Sequence, residues 1–268
     1  MPSLDLSPSL RVERDGSVLV VRLSRVAKRN ALDDETMLGL ESVFASMPAG
    51  VGAAVLCAEG EHFSAGLDLS ELTERSAAEG ALHSRQWHRV LDRVQFGRVP
   101  VVAALHGAVV GGGLELAAAA HIRVAERSTF YALPEGARGI FVGGGGSVRI
   151  PRLIGVARMA DMILTGRVVN AEEGHQIGLS QYLVGAGEGV ALAMTLARRI
   201  VENAPMTNYA VMHALPRIAE VGQDQGLLFE SLMAAISQDA PEAKKRLHDF
   251  LNKQGRSKKR SEKRKVGE

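Results

Sequence analysis

Hydrophobic positions change period along this chain, and the changes mark its elements. Residues 10–13 and 18–23 form two strand-like runs around Asp15-Gly16, a dipeptide suited to a tight hairpin turn. Asp33 or Asp34 can then cap a helix in which Met37, Leu40, Phe44 and Met47 recur at helical spacing. Residues 53–57 make an uncharged run suited to a buried strand, 77–94 a second helical stretch, and Pro100 opens a strand at Val101. Strand, loop and helix go on alternating through residues 121–125 and 129–132, the glycine run Gly143-Gly144-Gly145-Gly146, and helices over 147–154 and 157–165. That alternation is α/β patterning. From Glu188 onward strand signals cease, and helices are expected over 190–202, 206–221, 227–237 and 241–252. The organisation this predicts is a core over residues 1–187, a helical region over 188–252 and a basic, disordered tail over 253–268.

Composition narrows the function classes. The chain has 268 residues, 46% of them hydrophobic, enough for one sizeable core. A net charge of +2 gives no footing for nucleic-acid binding by the protein as a whole, and the basic tail has no aromatic residue on which a base could stack. No apolar run approaches the roughly 18 residues of a membrane span. The single cysteine, Cys57, lies within an apolar run and has no internal disulfide partner, which fits a buried structural thiol in a reducing compartment. The opening Met1-Pro2-Ser3-Leu4-Asp5 shows neither a basic leader nor an Arg-rich transit pattern, so a cytoplasmic protein without membrane or nucleic-acid partners is expected. P-loop, GxGxxG, HExxH and CxxC patterns are all absent.

Three segments carry candidate chemistry. Gly111-Gly112-Gly113-Leu114-Glu115 follows the apolar run at Val101 and opens a helix, so bare backbone N–H groups could hold a developing oxyanion with Glu115 beside them; a plain tight turn packing helix on strand is the alternative. Phe63-Ser64-Ala65-Gly66-Leu67-Asp68-Leu69 follows the Cys57 run, with Asp68 placed to cap a short helix. Leu133-Pro134-Glu135 precedes Gly136 and the later glycine run. Each puts a glycine or a carboxylate where a strand ends, a usual place for ligand sites in α/β proteins. The bland reading of either glutamate alone is a solvated surface residue.

Taken together with Lys28-Arg29-Asn30-Ala31-Leu32 and Leu164-Thr165-Gly166, these motifs resemble those of the crotonase superfamily, the enoyl-CoA hydratases and isomerases, over roughly residues 10–250. The resemblance implies an α/β, crotonase-like spiral of strand, strand and helix units with a C-terminal helical trimerisation region. It also implies a homotrimer or a dimer of trimers. By the family pattern the Leu67 and Gly112 N–H groups form the oxyanion hole for a thioester carbonyl, and Glu115 and Glu135 are catalytic. Ala27, Lys28, Arg29, Ala65, Gly66, Leu67, Asp68, Leu69 and Gly111 would contact the CoA thioester. No metal and no separate cofactor is implied, since CoA arrives as part of the substrate. Retention of both glutamates points to hydration of a 2-enoyl-CoA in fatty-acid metabolism. Double-bond isomerisation, hydroxyacyl-CoA cleavage and a non-catalytic acyl-CoA- or RNA-binding role are the alternatives.

Some positions depart from that pattern. His106 and His121 stand where Asn and Asp are common in the family, and both are read as structural. Ser70 follows Asp68-Leu69 where some hydratases place a CoA-binding lysine, which leaves Lys28 and Arg29 as phosphate contacts or as a solvated charged loop. Val26 replaces a common proline. Gly143 to Gly146 could bind an anion at a helix start or could simply be a flexible entry to the helix. Trp87 is expected to pack the long helix, and the pocket wall to be drawn from residues 70–86 and the Phe141 region.

Overall fold

The computed structural model describes residues 7–71 and 74–252, so the basic stretch after Asn252 lies outside the described residues. Contacts divide the chain into two compact units, one ending at Glu202 and one starting at Asn203.

The first unit begins with the expected hairpin. Strands β1 (Leu10–Asp15) and β2 (Val18–Leu23) pair antiparallel, with Asp15 opposite Val18 and Gly16 at φ +59° in the two-residue turn. Helix α1 (Asp34–Ala45) is capped by Asp33, whose carboxylate accepts from the Thr36 N–H at 2.7 Å. Strand β3 (Ala53–Ala58), helix α2 (Ala77–Gln95) and strands β4 (Val101–Leu105) and β5 (Ala108–Val110) follow. A reciprocal capping box between Ser76 and Glu79 starts α2. Next come α3 (Gly112–Ala119), β6 (Ile122–Glu126), β7 (Phe130–Ala132), α4 (Gly146–Ile154) and α5 (Val156–Thr165). The unit closes with β8 (Val169–Asn170), α6 (Ala171–Ile177), β9 (Tyr182–Val184) and α7 (Gly189–Val201).

Among the described residues the strands make a six-stranded sheet, in the order β1-β2-β3-β4-β6-β9, and a three-stranded sheet, β5-β7-β8. Both are mixed: β1 and β8 are the antiparallel members. Period two splits the larger sheet's side chains between two buried faces. Leu19, Val21 and Leu23 join the main core with Met37, Leu40 and Phe44 of α1 and Val90, Leu91 and Val94 of α2. Val18, Val20, Val55, Cys57, Val102 and Val124 face the other way, against Ala193, Leu196 and Ala197 of α7. Strands covered on both faces read as continuous apolar runs rather than alternating ones, which is why residues 53–57 and 101–105 carry no charge. It also puts α7 with the sheet, ahead of the Glu202–Asn203 division, whereas its helical pattern alone grouped it with the C-terminal helices.

The chain passes from the large sheet to the small one at His106-Gly107. Gly107 has φ +53°, and a Cβ there would lie 2.0 Å from the Glu61 carbonyl oxygen, so no other residue fits the crossing.

The second unit is helical: α8 (Pro205–Tyr209), a π-helical turn over Ala210–Ala214, α9 (Leu215–Ile218) and α10 (Gln223–Asp239), with residues 241–252 helical as well. One helix over 206–221 was expected. Pro216 has no N–H to give the carbonyl four residues back, and the wider π turn just before it absorbs that break.

Candidate active site

The segment Phe63 to Asp68 runs between two others. On one side the Ser64 N–H donates to Ala108 O at 2.9 Å and Val110 N–H to Ser64 O at 3.1 Å; on the other, Leu32 N–H donates to Gly66 O at 2.7 Å and Asp68 N–H to Leu32 O at 2.9 Å. This bridging aligns Gly66-Leu67 with Gly111-Gly112 at the end of β5. Gly66 has φ +93°, and a Cβ on it would meet Val110 O at 2.7 Å; a Cβ on Gly112 would approach the Leu67 nitrogen at 3.4 Å. Neither the Leu67 N–H nor the Gly112 N–H has an acceptor among the described residues. Gly112 is also the first residue of α3, so the positive end of that helix adds to the donor pair.

Leu67 and Gly112 line a cavity of about 190 Å³, and so do Glu115 and Glu135. Glu115 is buried in the first turn of α3, and its Oε1 accepts from Gly144 N–H at 2.8 Å and Gly146 N–H at 2.7 Å. The glycine run does hold an acceptor at a helix start, and the acceptor is the chain's own Glu115 carboxyl. Burial pushes the Glu115 carboxyl above the usual carboxylate range; the two N–H donors and Arg149 oppose the shift, and nearby Glu135 adds to it. Glu135 is buried at 5% exposure, and its Oε2 has no hydrogen-bond partner among the described residues. Burial raises its pKa too, opposed by its own backbone N–H and by Arg138. Two carboxyls, both raised and one acting on the other, therefore share one cavity with the residues that carry the two N–H donors.

Supporting residues hold this geometry. Arg149 donates from Nη1 to Gly144 O at 3.1 Å, from Nε to Gln95 at 2.7 Å and from Nη2 to Asp92 at 2.6 Å, so the glycine turn is tied to α2. Ser84 fastens the same turn by donating to Gly143 O at 2.6 Å. Arg25 reaches Asp68 at 2.6 Å and Asp33 at 3.1 Å, pinning the 25–33 loop against the Gly66 segment. Sequence reasoning missed Arg149 and Arg25. Arg149 carried a faint signal, a basic residue in the helix opened by the glycine run, and Arg25 carried none.

The remaining expected site residues fall in two places. Leu69 and Gly111 line the cavity. Ala27, Lys28, Arg29, Ala65 and Gly66 form a strip beside it: Ala65 N–H donates to Arg29 O at 3.0 Å, and Lys28 Nζ lies 4.0 Å from Asp68. Asp68 is structural first. It accepts from Ser70 N–H at 3.0 Å and Ser70 hydroxyl at 2.7 Å, and these bonds with Arg25 hold its carboxyl well below the ordinary range. His106 meets Gly60 O at 3.1 Å; His121 accepts from Val101 N–H at 3.0 Å and meets Gln95 O at 2.9 Å; neither lines the cavity. Ser64 is fully buried and donates to Asn30 O at 2.8 Å. Trp87 packs α2 and also forms cavity wall, as do residues of the 75–84 and 140–144 stretches.

A model of the family described as enoyl-CoA hydratase/isomerase matches residues 13–259. The chain belongs to the enoyl-CoA hydratase/isomerase family. Among similar members, the short-chain-enoyl-CoA hydratase of Clostridium acetobutylicum is 33% identical over 82% of this chain and 85% of its own. Carnitinyl-CoA dehydratase of Salmonella arizonae is 32% identical over 82% of this chain and 85% of its own. The crystal structure of a candidate enoyl-CoA hydratase from Rhodopseudomonas palustris superposes with a TM-score of 0.91 at 58% identity, covering 93% of this chain and 96% of that one. The fold is therefore the crotonase fold. Two crotonases at nearly equal identity are named for different substrates, so membership alone does not select the acyl group. No helix among the described residues is long and apolar enough to cross a membrane.

Proposed function

We propose that this crotonase is an enoyl-CoA hydratase that adds water reversibly across the 2,3 double bond of a 2-enoyl-CoA. The observation that carries the reading is the pairing of two buried carboxyls, Glu115 and Glu135, with the unpartnered Leu67 and Gly112 N–H groups in one cavity. The thioester oxygen sits on the two N–H groups, whose value rises as it gains enolate charge in a site shielded from water. A single oxyanion-hole donor is worth about 2.7–4 kcal/mol in other enzymes.

The two carboxyls divide the work by environment. Glu115, with two N–H donors on Oε1, is the better-supported anion and accepts the proton of the attacking water. Glu135, whose Oε2 has no donor, favours its protonated form and delivers a proton to C2. A single base would serve isomerisation; a base and an acid together suit addition of water. CoA extends over the strip of Ala27, Lys28, Arg29, Ala65 and Gly66. Exposed Leu228, Phe229, Leu232 and Ile236 on α10 favour self-association, with a trimer as the family expectation. Buried Cys57 fits a reducing, cytoplasmic setting.

The test is loss of the conjugated-thioester absorbance when the protein meets a panel of 2-enoyl-CoAs. Fast loss is expected, with Glu115→Gln and Glu135→Gln each lowering kcat by about 10²–10⁴-fold. Full activity in either variant would rule the mechanism out.

A further inference from the structure

The distal wall of the cavity is less apolar than a hydrocarbon chain requires. Helix α2 lies along it, presenting Gly80, His83, Ser84 and Trp87 at helical spacing. Trp87 marks the catalytic end, because a Cβ on Gly112 would meet its ring at 3.1 Å and one on Gly144 at 3.2 Å. Gly80 is two turns away, roughly 10 Å along the helix axis. Arg75 precedes the cap residue Ser76 and lines the same cavity. Leu69, Ile140, Phe141 and Val142 supply apolar wall, yet Arg75 and His83 also line the same space; a third basic residue of the lining, Arg138, acts on Glu135.

Arg75 and His83 differ in how far their surroundings already engage them. Arg75 is half-buried and forms no ion pair within 4.0 Å among the described residues. Glu79, the carboxylate that feels its charge, already accepts from the Ser76 N–H and hydroxyl at 2.7 Å each. His83 is paired through one nitrogen: its Nε2 is 2.7 Å from Asp34 Oδ1, a carboxylate that fixes the ring and also accepts from Trp87 Nε1 at 3.3 Å. That leaves Nδ1 as the ring nitrogen available to a ligand. The carboxylates lining the cavity are Glu115 and Glu135, both at the opposite end.

We infer that the cavity takes acyl groups whose distal end carries a carboxylate, read by the Arg75 guanidinium and by His83. The inference rests on the acyl-CoA reading of the site. A carboxylate entering an apolar pocket needs a charged, hydrogen-bonding partner at its terminus, and a guanidinium supplies one in forked geometry.

The experiment uses a matched pair of saturated six-carbon acyl-CoAs, one unsubstituted and one ending in a carboxylate, titrated calorimetrically into the full-length protein. Neither can be hydrated, so binding is read independently of turnover. The carboxylated ester is expected to bind about tenfold tighter or more at low salt, an advantage that shrinks as salt rises. Arg75→Gln should bring the ratio of the two affinities close to one, and His83→Gln should lower it in part. Equal or tighter binding of the unsubstituted ester, or a ratio that survives both substitutions, would overturn the inference. Binding of neither ester would overturn it together with the acyl-CoA reading, whereas binding of the carboxylated ester without hydration of any enoyl-CoA would remove the hydratase reading alone.

Discussion

Glu135→Gln should make the protein more stable while stopping turnover, and the gain should depend on pH in a defined way. The carboxyl is buried with no donor on Oε2, so the folded state holds its proton more tightly than the unfolded chain does. Between the unfolded value of about 4.3 and the raised folded value, the folded protein binds more protons than the unfolded chain. Stability therefore falls as pH rises through that window, and the loss is complete above the folded value. Glutamine has nearly the shape of the protonated acid and cannot ionise, so it avoids the loss. A buried acceptor without a partner costs about 1–3 kcal/mol and more when charged; glutamine keeps the neutral part of that cost and sheds the charged part, which at about 1 kcal/mol or more shifts Tm by about 2–4 °C in a chain of this size. The variant should accordingly melt at least ~2 °C above the parent at pH 8, with the difference shrinking towards zero at pH 4. Thermal melts of both proteins at a series of pH values give the answer. A variant that melts lower at pH 8, or a difference that does not change with pH, would refute the reasoning. Glu115→Gln should gain less, because it exchanges two charge-assisted bonds from Gly144 and Gly146 for neutral ones.

Gly146→Ala should damage catalysis through Glu115 alone. A Cβ there would lie 2.7 Å from Glu115 Cγ and 2.8 Å from Oε1, pushing the carboxylate off its N–H donors, and kcat should fall about 10²-fold with KM much less affected in steady-state assays. Cys57 should be inert in the native state: it is fully buried and burial pushes its thiol up to about 11, so a thiol reagent at pH 7 should label it only after denaturant is added. Labelling of the native protein at the rate of a free thiol would show that the α7 face opens.

The fold of the first unit was largely legible, and the reason lies in local chemistry. Asp15-Gly16 encodes its hairpin, Asp33 and Ser76 cap their helices through bonds to residues three positions on, and Pro100 ends the approach to β4. Strands such as Ala53–Ala58 announce themselves because both faces are covered. The short strands β5, β8 and β9 stayed hidden because runs of two or three residues carry little pattern, and their pairing depends on neighbours far along the chain; β7, equally short, showed only through the run at 129–132. The π turn before Pro216 was missed because a proline can be met by ending a helix or by widening it, and packing chooses between them.

The chain alone determined the chemical vocabulary of the candidate site: paired glycines that free backbone N–H groups, and a glutamate closing each of two motifs. Those are composition and spacing, and both survive in one dimension. Which acceptor the Gly143–Gly146 turn holds, that Asp68 serves Arg25 and Ser70, and that Arg149 ties the turn to Asp92 and Gln95 were decided only in three dimensions. The same holds for the cavity's polarity. Arg75 and His83 border one apolar space only because α2 lies along it, and charge without an address in space carries no reading of what it binds.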